Sequence, residues 1–449
     1  MKATILGAGE SGIGSAYLAK KLNYDTFVSD KGEISSKNQK ELNALEIEWE
    51  QMHHSESRIL DADLIIKSPG IPEHVQLIQK IRAKGIEIIS EIEFAFRHCD
   101  AKIIGITGSN GKTTTASLIY ALLKNAKLNV GLAGNIGFSF AKQVANSNFD
   151  FYVIEISSFQ LDDIKSFKPN ISILTNITPD HLDRYENNFE LYAESKLKIT
   201  QNQNAEDHFI YYLDDEGASQ QIAKTNIKAE KHVFSLESHT NKNLSAKKTD
   251  NTLSYKYNSR HLNIDIDSLS LKGPHNQLNM MAAGIVAMIL NIEDKIVRET
   301  FQQFENLEHR MEKVATINEI EFVNDSKATN VVSVQYALET VTKPIVWIVG
   351  GKDKGNDYSI LFDLVKAKVK CIVALGKDNE KILTTFKDFG LPMKEFKETQ
   401  KAVDWAFSQS TSGDCVLLSP ACSSFDLFDN YEDRGRKFKK AVAHINANK

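Results

Sequence analysis

Three times this chain runs from a short β-branched stretch through a glycine-rich turn into a helical pattern. Ala3-Thr4-Ile5-Leu6 enters Gly7-Ala8-Gly9-Glu10-Ser11-Gly12, Lys102-Ile103-Ile104-Gly105-Ile106-Thr107 enters Gly108-Ser109-Asn110-Gly111-Lys112, and Ile345-Val346-Trp347-Ile348-Val349 enters Gly350-Gly351. A strand that hands over to a helix through glycine is the unit of a parallel α/β sheet, because parallel strands need a crossover between them. The repeats lie roughly a hundred residues or more apart, too far for a solenoid and suited to one α/β domain each. In 449 residues this predicts three domains, with boundaries near 98 and 304: 1–98, 99–303 and 304–449.

Further strands fit the plan. Asp63-Leu64-Ile65-Ile66 precedes the turn Ser68-Pro69-Gly70, Phe151-Tyr152-Val153-Ile154 ends on Glu155, Ile171-Ser172-Ile173-Leu174 precedes Thr175-Asn176, and Asp414 to Leu418 precedes Ser419-Pro420. Residues 206–272 are polar with short alternating runs such as Thr252 to Tyr257, which predicts a small antiparallel appendage on the central domain. The longest apolar run, Met280 to Leu290, is short of the roughly 20 residues of a membrane span and predicts a buried helix. The start of the chain goes directly into a strand without an apolar signal core. The four cysteines form no CxxC pair, so a reduced, cytoplasmic protein without structural zinc is expected. A net charge of −5 speaks against nucleic acid as a partner, yet leaves room for a local cationic pocket.

The strongest chemical signal is Gly108-Ser109-Asn110-Gly111-Lys112-Thr113-Thr114 between a strand and a helix. Glycines let backbone N–H groups close on phosphate oxygens, and the helix N-terminus adds a positive dipole. Lys112 would hold the β/γ-phosphates and Thr113 a magnesium ion. The general pattern GxxxxGK[ST] wants glycine at 106, where this chain has Ile106 with Gly105 one place early. Glu155, at the end of a strand one α/β unit on, is placed to hold Mg²⁺ directly or through water. His181 lies between Asp180 and Asp183 after the next strand, at the sheet end where ligands bind.

Gly7, Gly9 and Gly12 form a GxGxxG turn with Asp30 eighteen residues after Gly12, a dinucleotide fingerprint taken alone. A domain that ends near 98 leaves too little chain for a second mononucleotide half, so a single nucleotide diphosphate is the more economical occupant. In the C-terminal third, Asn324-Asp325-Ser326-Lys327-Ala328-Thr329-Asn330 and Ser419 to Asp426 follow strands. Their hydroxyls and amides, with Lys327 and Lys354, suit an anionic ligand such as a carboxylate, although turn and N-cap chemistry would explain either segment by itself. Cys422 has no histidine near it in sequence and reads as a structural thiol.

Together these residues resemble a known family. Thr107 to Thr113 is similar to the P-loop variant of the Mur ligases and folylpolyglutamate synthases, which also lacks the first glycine. Asn176-x-x-x-Asp180-His181-Leu182-Asp183-Arg184 resembles that family's central histidine motif, Gly273-Pro274-His275-Asn276-Gln277-x-Asn279 its adenine-side motif, and His309-Arg310 its His-Arg motif. The two C-terminal segments are typical of the branch that adds D-glutamate. The resemblance runs from Gly7 to Gly435.

The resemblance implies an N-terminal Rossmann-like domain for a UDP moiety, a central P-loop ATPase, and a Rossmann-like C-terminal domain that closes over ATP and the amino acid. It implies UDP-N-acetylmuramoyl-L-alanine and D-glutamate as substrates, and an acyl phosphate on the way to the amide. Ser11, Asp30, Ser68 and Asn135 would lie near the UDP-sugar. Gly108 to Thr114 with Asn276, Asn279, Arg310 and Asp325 would bind ATP, and Lys327, Thr329, Lys354, Ser424 and Tyr431 D-glutamate. Two Mg²⁺ ions would sit at Thr113, Glu155, His181 and Lys196, with Lys196 carbamylated and catalytic beside Lys112 and His181. A monomer is expected. Lys31 follows Asp30 where threonine is common, and Tyr431 stands where phenylalanine is common. The rival readings are a sister ligase or a folylpolyglutamate synthase, an ATP-hydrolysing regulator without ligation, and, on Gly7 to Asp30 alone, an NAD oxidoreductase.

Overall fold

Short runs rich in Ile, Val and Leu can bury both faces only if helices cover both sides of the sheet they form. In the computed structural model, which describes residues 1–237, 239, 244–305, 308–353 and 355–447, they build three such sheets. The first contains β1 (Lys2–Leu6), β2 (Asp25–Ser29), β3 (Glu48–Glu50), β4 (Leu64–Lys67) and β5 (Glu87–Ser90), all parallel in the order β3-β2-β1-β4-β5. The order reverses at β1, and the glycine turn leaves from that strand's end. Gly12 lets the helix Glu10–Lys21 lie directly on the strand, since a Cβ there would meet Gly7 O at 1.9 Å.

The second sheet contains β6 (Lys102–Thr107), β7 (Val130–Gly134), β8 (Phe151–Glu155), β9 (Ile171–Leu174), β10 (His208–Tyr212), β11 (Glu230–Ser235), β12 (Ala246–Thr249), β13 (Thr252–Tyr257) and β14 (Arg260–Asp265). Its order is β14-β13-β12-β11-β10-β9-β6-β8-β7. This narrows the antiparallel part expected within residues 206–272 to residues 246–265. β10 pairs in parallel with β9 and β11, β12 joins β11 in parallel, and only the β12–β13 and β13–β14 pairs are antiparallel. The helix Glu216–Lys224 supplies the crossover that parallel pairing requires. The polar residues that suggested an appendage lie on strands of one continuous sheet, of which β14 is the edge.

The third sheet contains β15 (Glu312–Ile317), β16 (Ile320–Asn324), β17 (Ile345–Val349), β18 (Val369–Leu375), β19 (Met393–Phe396) and β20 (Cys415–Leu418) in the order β15-β16-β20-β17-β18-β19. Only the β15–β16 hairpin is antiparallel. The apolar run from Met280 lies in the buried helix Pro274–Ile289.

The chain forms two compact units. One holds Met1–Ser270 with Asn276–Phe304, the other Leu271–His275 with Glu305–Lys449. Within the first unit, the first two sheets share a single core in which Ile5, Leu18 and Val28 pack with Phe140, Tyr152 and Ile154. Buried polar groups fix the same junction. Glu91 accepts from Ser139 Oγ at 2.6 Å and Ala141 N at 2.7 Å, and Glu93 accepts from the backbone N–H groups of Lys165, Ser166 and Phe167. Lys67 and Asp163, both buried, pair at 3.0 Å. Among the described residues no helix is long and apolar enough to cross a membrane.

Candidate active site

The P-loop follows β6 and runs into the helix Lys112–Asn125. Gly108 and Gly111 have φ of +145° and +81°, and a Cβ would meet Thr175 Oγ1 at 1.9 Å or Asn279 Oδ1 at 2.5 Å respectively. Only glycine allows the loop to turn this tightly. The loop is braced by the segment after β9. Asn110 N donates to Asn176 Oδ1 at 2.9 Å, Asn176 Nδ2 to Asn110 O at 3.1 Å, and Ser109 N to Asn176 O at 2.9 Å. Thr175 Oγ1 donates to Asn110 O at 2.6 Å, and Ser109 Oγ to Thr178 O at 2.8 Å. Asn176 is therefore the clamp of the phosphate loop, a role its place in the sequence did not disclose.

Two lysines meet on this loop. Lys112 Nζ donates to Gly108 O and Ser109 O, each at 2.8 Å. Lys196, buried on the helix Phe189–Leu197, reaches the same Gly108 O at 2.8 Å and lies 4.5 Å from the Tyr192 ring centroid. Burial, and secondly the Lys112 cation, push the Lys196 ammonium well below the ordinary lysine range, with Asp180 and Asp162 opposing. The shift favours the uncharged amine, the form that can react as a nucleophile.

Glu155 ends β8 beside Ile106 and is buried. Its Oε1 accepts from Asn135 Nδ2 and its backbone oxygen from Asn135 N, both at 2.9 Å, so Asn135 is placed against the acid of the central sheet. Thr113 is buried in the first helical turn. His181 is partly exposed, with φ +53°, edge-on to Phe159 and 3.7 Å from Asp180 Oδ1. A hydroxyl, carboxylates and one imidazole are a hard donor set, and the buried Glu155 carboxylate next to the phosphate loop fits a magnesium ion. Asn279 accepts from Thr115 Oγ1 at 3.1 Å and donates to Asn276 Oδ1 at 3.3 Å, which places it under the P-loop helix.

At the N-terminal turn, Asp30 is already engaged. Its carboxylate accepts from Ala8 N at 2.7 Å and Gly32 N at 2.8 Å, bracing the glycine turn itself. Ser11 stands in the first turn of the following helix, and Ser68 Oγ lies 3.5 Å from Gly7 O. Arg184, from the histidine motif, donates to Pro69 O at 3.1 Å and Gly70 O at 3.2 Å. These bonds tie the Ser68 turn to the loop that carries His181.

The second unit gathers its own group. Lys327 Nζ lies 5.0 Å from the Tyr431 ring centroid, and Thr329 N donates to Lys327 O. Ser424 is buried in the turn after β20, where its backbone oxygen accepts from Phe428 N at 3.0 Å. Lys354 lies outside the described residues. Asp325 accepts from Ser419 Oγ at 2.8 Å and Met311 N at 3.2 Å, and burial pushes its carboxyl up to about 7 against those bonds and the nearby Arg310 charge. Arg434, buried at the start of the last helix, stitches these loops: it donates to Ser326 Oγ at 3.0 Å, Ser326 O at 2.8 Å and Cys422 O at 3.0 Å. In sequence it is one of two arginines, with Arg436, early in the last helix. Cys422 is buried with its thiol pushed up to about 11, mainly by burial, which suits a structural sulfur.

Residues 2–77 match the MurD N-terminal domain, 106–287 the Mur ligase middle domain and 309–422 the Mur ligase glutamate ligase domain. The chain is 49% identical over 444 residues to the UDP-N-acetylmuramoylalanine--D-glutamate ligase of Christiangramia forsetii, covering 99% of each. The chain belongs to the Mur ligase family. A ligase of the same name from Bacteroides thetaiotaomicron is also 49% identical, over 98% of this chain and 99% of its own. In fold this Mur ligase resembles the solved UDP-N-acetylmuramate-alanine ligase MurC of Thermotoga maritima, with a TM-score of 0.64 at 19% identity and full coverage of both chains. It also resembles the MurF ligase of Thermotoga maritima in complex with ADP, with a TM-score of 0.60 at 14% identity over 94% of this chain and 95% of that one.

Proposed function

We propose that this chain joins D-glutamate to UDP-N-acetylmuramoyl-L-alanine at the expense of ATP, a step of peptidoglycan precursor synthesis in the cytoplasm, acting as a monomer. The observation that carries this is the end-to-end likeness, at 49% identity, to relatives that bear that name. In this reading the UDP-sugar carboxylate attacks the γ-phosphate, the bond to the β-phosphate breaks, ADP leaves, and an acyl phosphate results. The amine of D-glutamate then attacks the acyl carbon, and phosphate leaves as the amide forms. Catalysis of this kind is mostly positioning and charge neutralisation.

The P-loop amides and the dipole of the helix Lys112–Asn125 meet the phosphates of ATP. Lys112 exchanges its bonds to two loop carbonyls for the β/γ-phosphates. Thr113, Glu155, His181 and carbamylated Lys196 would hold magnesium, which when bound neutralises phosphate charge. The neutral Lys196 amine attacks CO₂ and sheds a proton, which converts a potential cation into a carboxylate-like ligand. Asn276, Asn279, Arg310 and Asp325 are assigned to ATP. Ser11, Asp30, Ser68 and Asn135 are assigned to the UDP-sugar, and Lys327, Thr329, Lys354, Ser424 and Tyr431 to D-glutamate. Residues 1–98, 99–303 and 304–449 then serve UDP-sugar, ATP and amino acid in turn. Phosphate release should require both UDP-N-acetylmuramoyl-L-alanine and D-glutamate. Equal release with L-glutamate, or full activity on a folate, would contradict the assignment.

A further inference from the structure

The second sheet carries a cluster that the proposed reaction does not use. In the β10–β11 register His208 stands opposite Glu230, and His232 follows two residues on, so parallel pairing puts all three side chains on one face. His208 Nδ1 lies 3.0 Å from His232 Nε2 and 3.3 Å from Glu230 Oε2, and His232 Nε2 lies 3.8 Å from the same oxygen. Two imidazole nitrogens and a carboxylate oxygen thus form a triangle of nearly equal sides. Tetrahedral zinc, with bonds of about 2.0–2.1 Å to nitrogen and oxygen, needs edges of about 3.4 Å. The measured sides bracket that value, so an ion could be taken up by small side-chain movements. We propose that His208, Glu230 and His232 form a binding site for a divalent transition-metal ion of the zinc class.

The surroundings support a metal better than a simple histidine pair. The outer nitrogen of His232, Nδ1, lies 3.4 Å from Ser245 Oγ. A proton held there for the serine oxygen leaves the lone pair of Nε2 facing the centre of the triangle, the outer hydrogen bond that metal-bound histidines make. His232 is buried, and burial pushes it down to about 4, so its ring is in the neutral form that metals require. Glu230 is half exposed at 52%, which gives an entry path and a fourth position open to water. Tyr257 of β13 stands edge-on to both rings, at 6.3 and 5.5 Å. The cluster lies towards the end of the sheet where β10 begins. The P-loop leaves the opposite end, after Thr107. The ion would pin the β10–β11 pair and leave the reaction's magnesium alone.

The test is titration of the untagged, full-length chain with Co²⁺ in excess Mg²⁺, followed by competition with Zn²⁺. The expected result is one cobalt per chain with the intense visible bands of four-coordination, displaced by an equivalent of zinc. His208→Gln should abolish the bands while phosphate release is retained. Glu230→Gln should weaken cobalt binding by at least tenfold, since even outer-shell partners cost about 10–100-fold. His232→Gln is judged only if its circular dichroism is native, because that side chain is buried. Absence of four-coordinate bands in the wild type, or undiminished bands in His208→Gln, would overturn the site and leave the two rings as a hydrogen-bonded pair.

Discussion

The two glycine turns of the first unit share a plan and differ in what braces them. The turn after β1 is held by a carboxylate, with Asp30 taking the amides of Ala8 and Gly32. The turn after β6 is held by a neutral amide, Asn176, with two lysines converging on Gly108 O. A carboxylate in a turn uses up donors and places a negative charge where phosphate would come. The neutral clamp also takes the amides of Ser109 and Asn110, but it adds no negative charge beside the loop, and Lys112 brings a positive one. The same strand–turn–helix unit thus carries a charged brace at one turn and a neutral one at the other.

The sharpest way to break the comparison is Lys112→Ala. It should lower ATP-dependent turnover by about a thousandfold or more, on the scale of losing a phosphate-stabilising cation, while calorimetry finds UDP-sugar binding unchanged. Loss of UDP-sugar binding would mean that the two turns do not divide the labour.

Lys196→Ala comes next, with an expected loss of about a hundredfold or more, as for removing a preorganised charge from a water-excluded site. A small carboxylic acid in solution should restore part of the rate by standing where the carbamate oxygens were. Near-normal turnover of the alanine variant in CO₂-depleted buffer would reduce Lys196 to a buried brace of Gly108.

What could be read from sequence follows from how local each signal is. The strand–glycine–helix units, and the places of Lys112, Glu155 and the Lys327 segment at strand ends, were legible because strand period and turn chemistry are written in neighbouring residues. The parallel pairing of β10 and β11 was not, since a short strand with polar residues looks alike in either direction. Nor was the clamp at Asn176 or the stitching by Arg434, where partners more than sixty residues away decide what an amide or a guanidinium does. Glu91 and Glu93 within Glu91–Phe96 carried a faint mark, two acids alternating with apolar residues, but the backbone amides that satisfy Glu93 come from residues 165–167.

Asp30→Asn should sharpen the contrast between the turns. Asparagine keeps one acceptor oxygen and loses the charge, so one of the two amide bonds is lost or weakened, worth about 1–2 kcal/mol. The Michaelis constant for the UDP-sugar should rise by roughly tenfold, the equivalent of about 1.4 kcal/mol, with that for ATP unmoved. An equal rise for both would show that Asp30 supports the whole first unit instead of its own turn.

The smallest effect, and the one that carries the comparison of braces into the second unit, concerns Asp325. It too is a carboxylate bonded to a loop amide, but it is buried and its carboxyl is raised to about 7, whereas Asp30 lies part-buried at its turn. A carboxyl raised on folding holds more protons in the folded than in the unfolded chain between about pH 4 and 7, so stability falls as pH rises through that window. Asp325→Asn removes the titration while keeping the shape. Urea unfolding of the second unit should therefore find the variant gaining on the wild type from pH 5 to pH 8, by on the order of 2 kcal/mol. A stability difference for Asp325→Asn that stays flat across the window would mean that the Ser419 and Met311 bonds, with Arg310, hold the carboxylate ionised throughout, and that both acids brace their loops by the same chemistry.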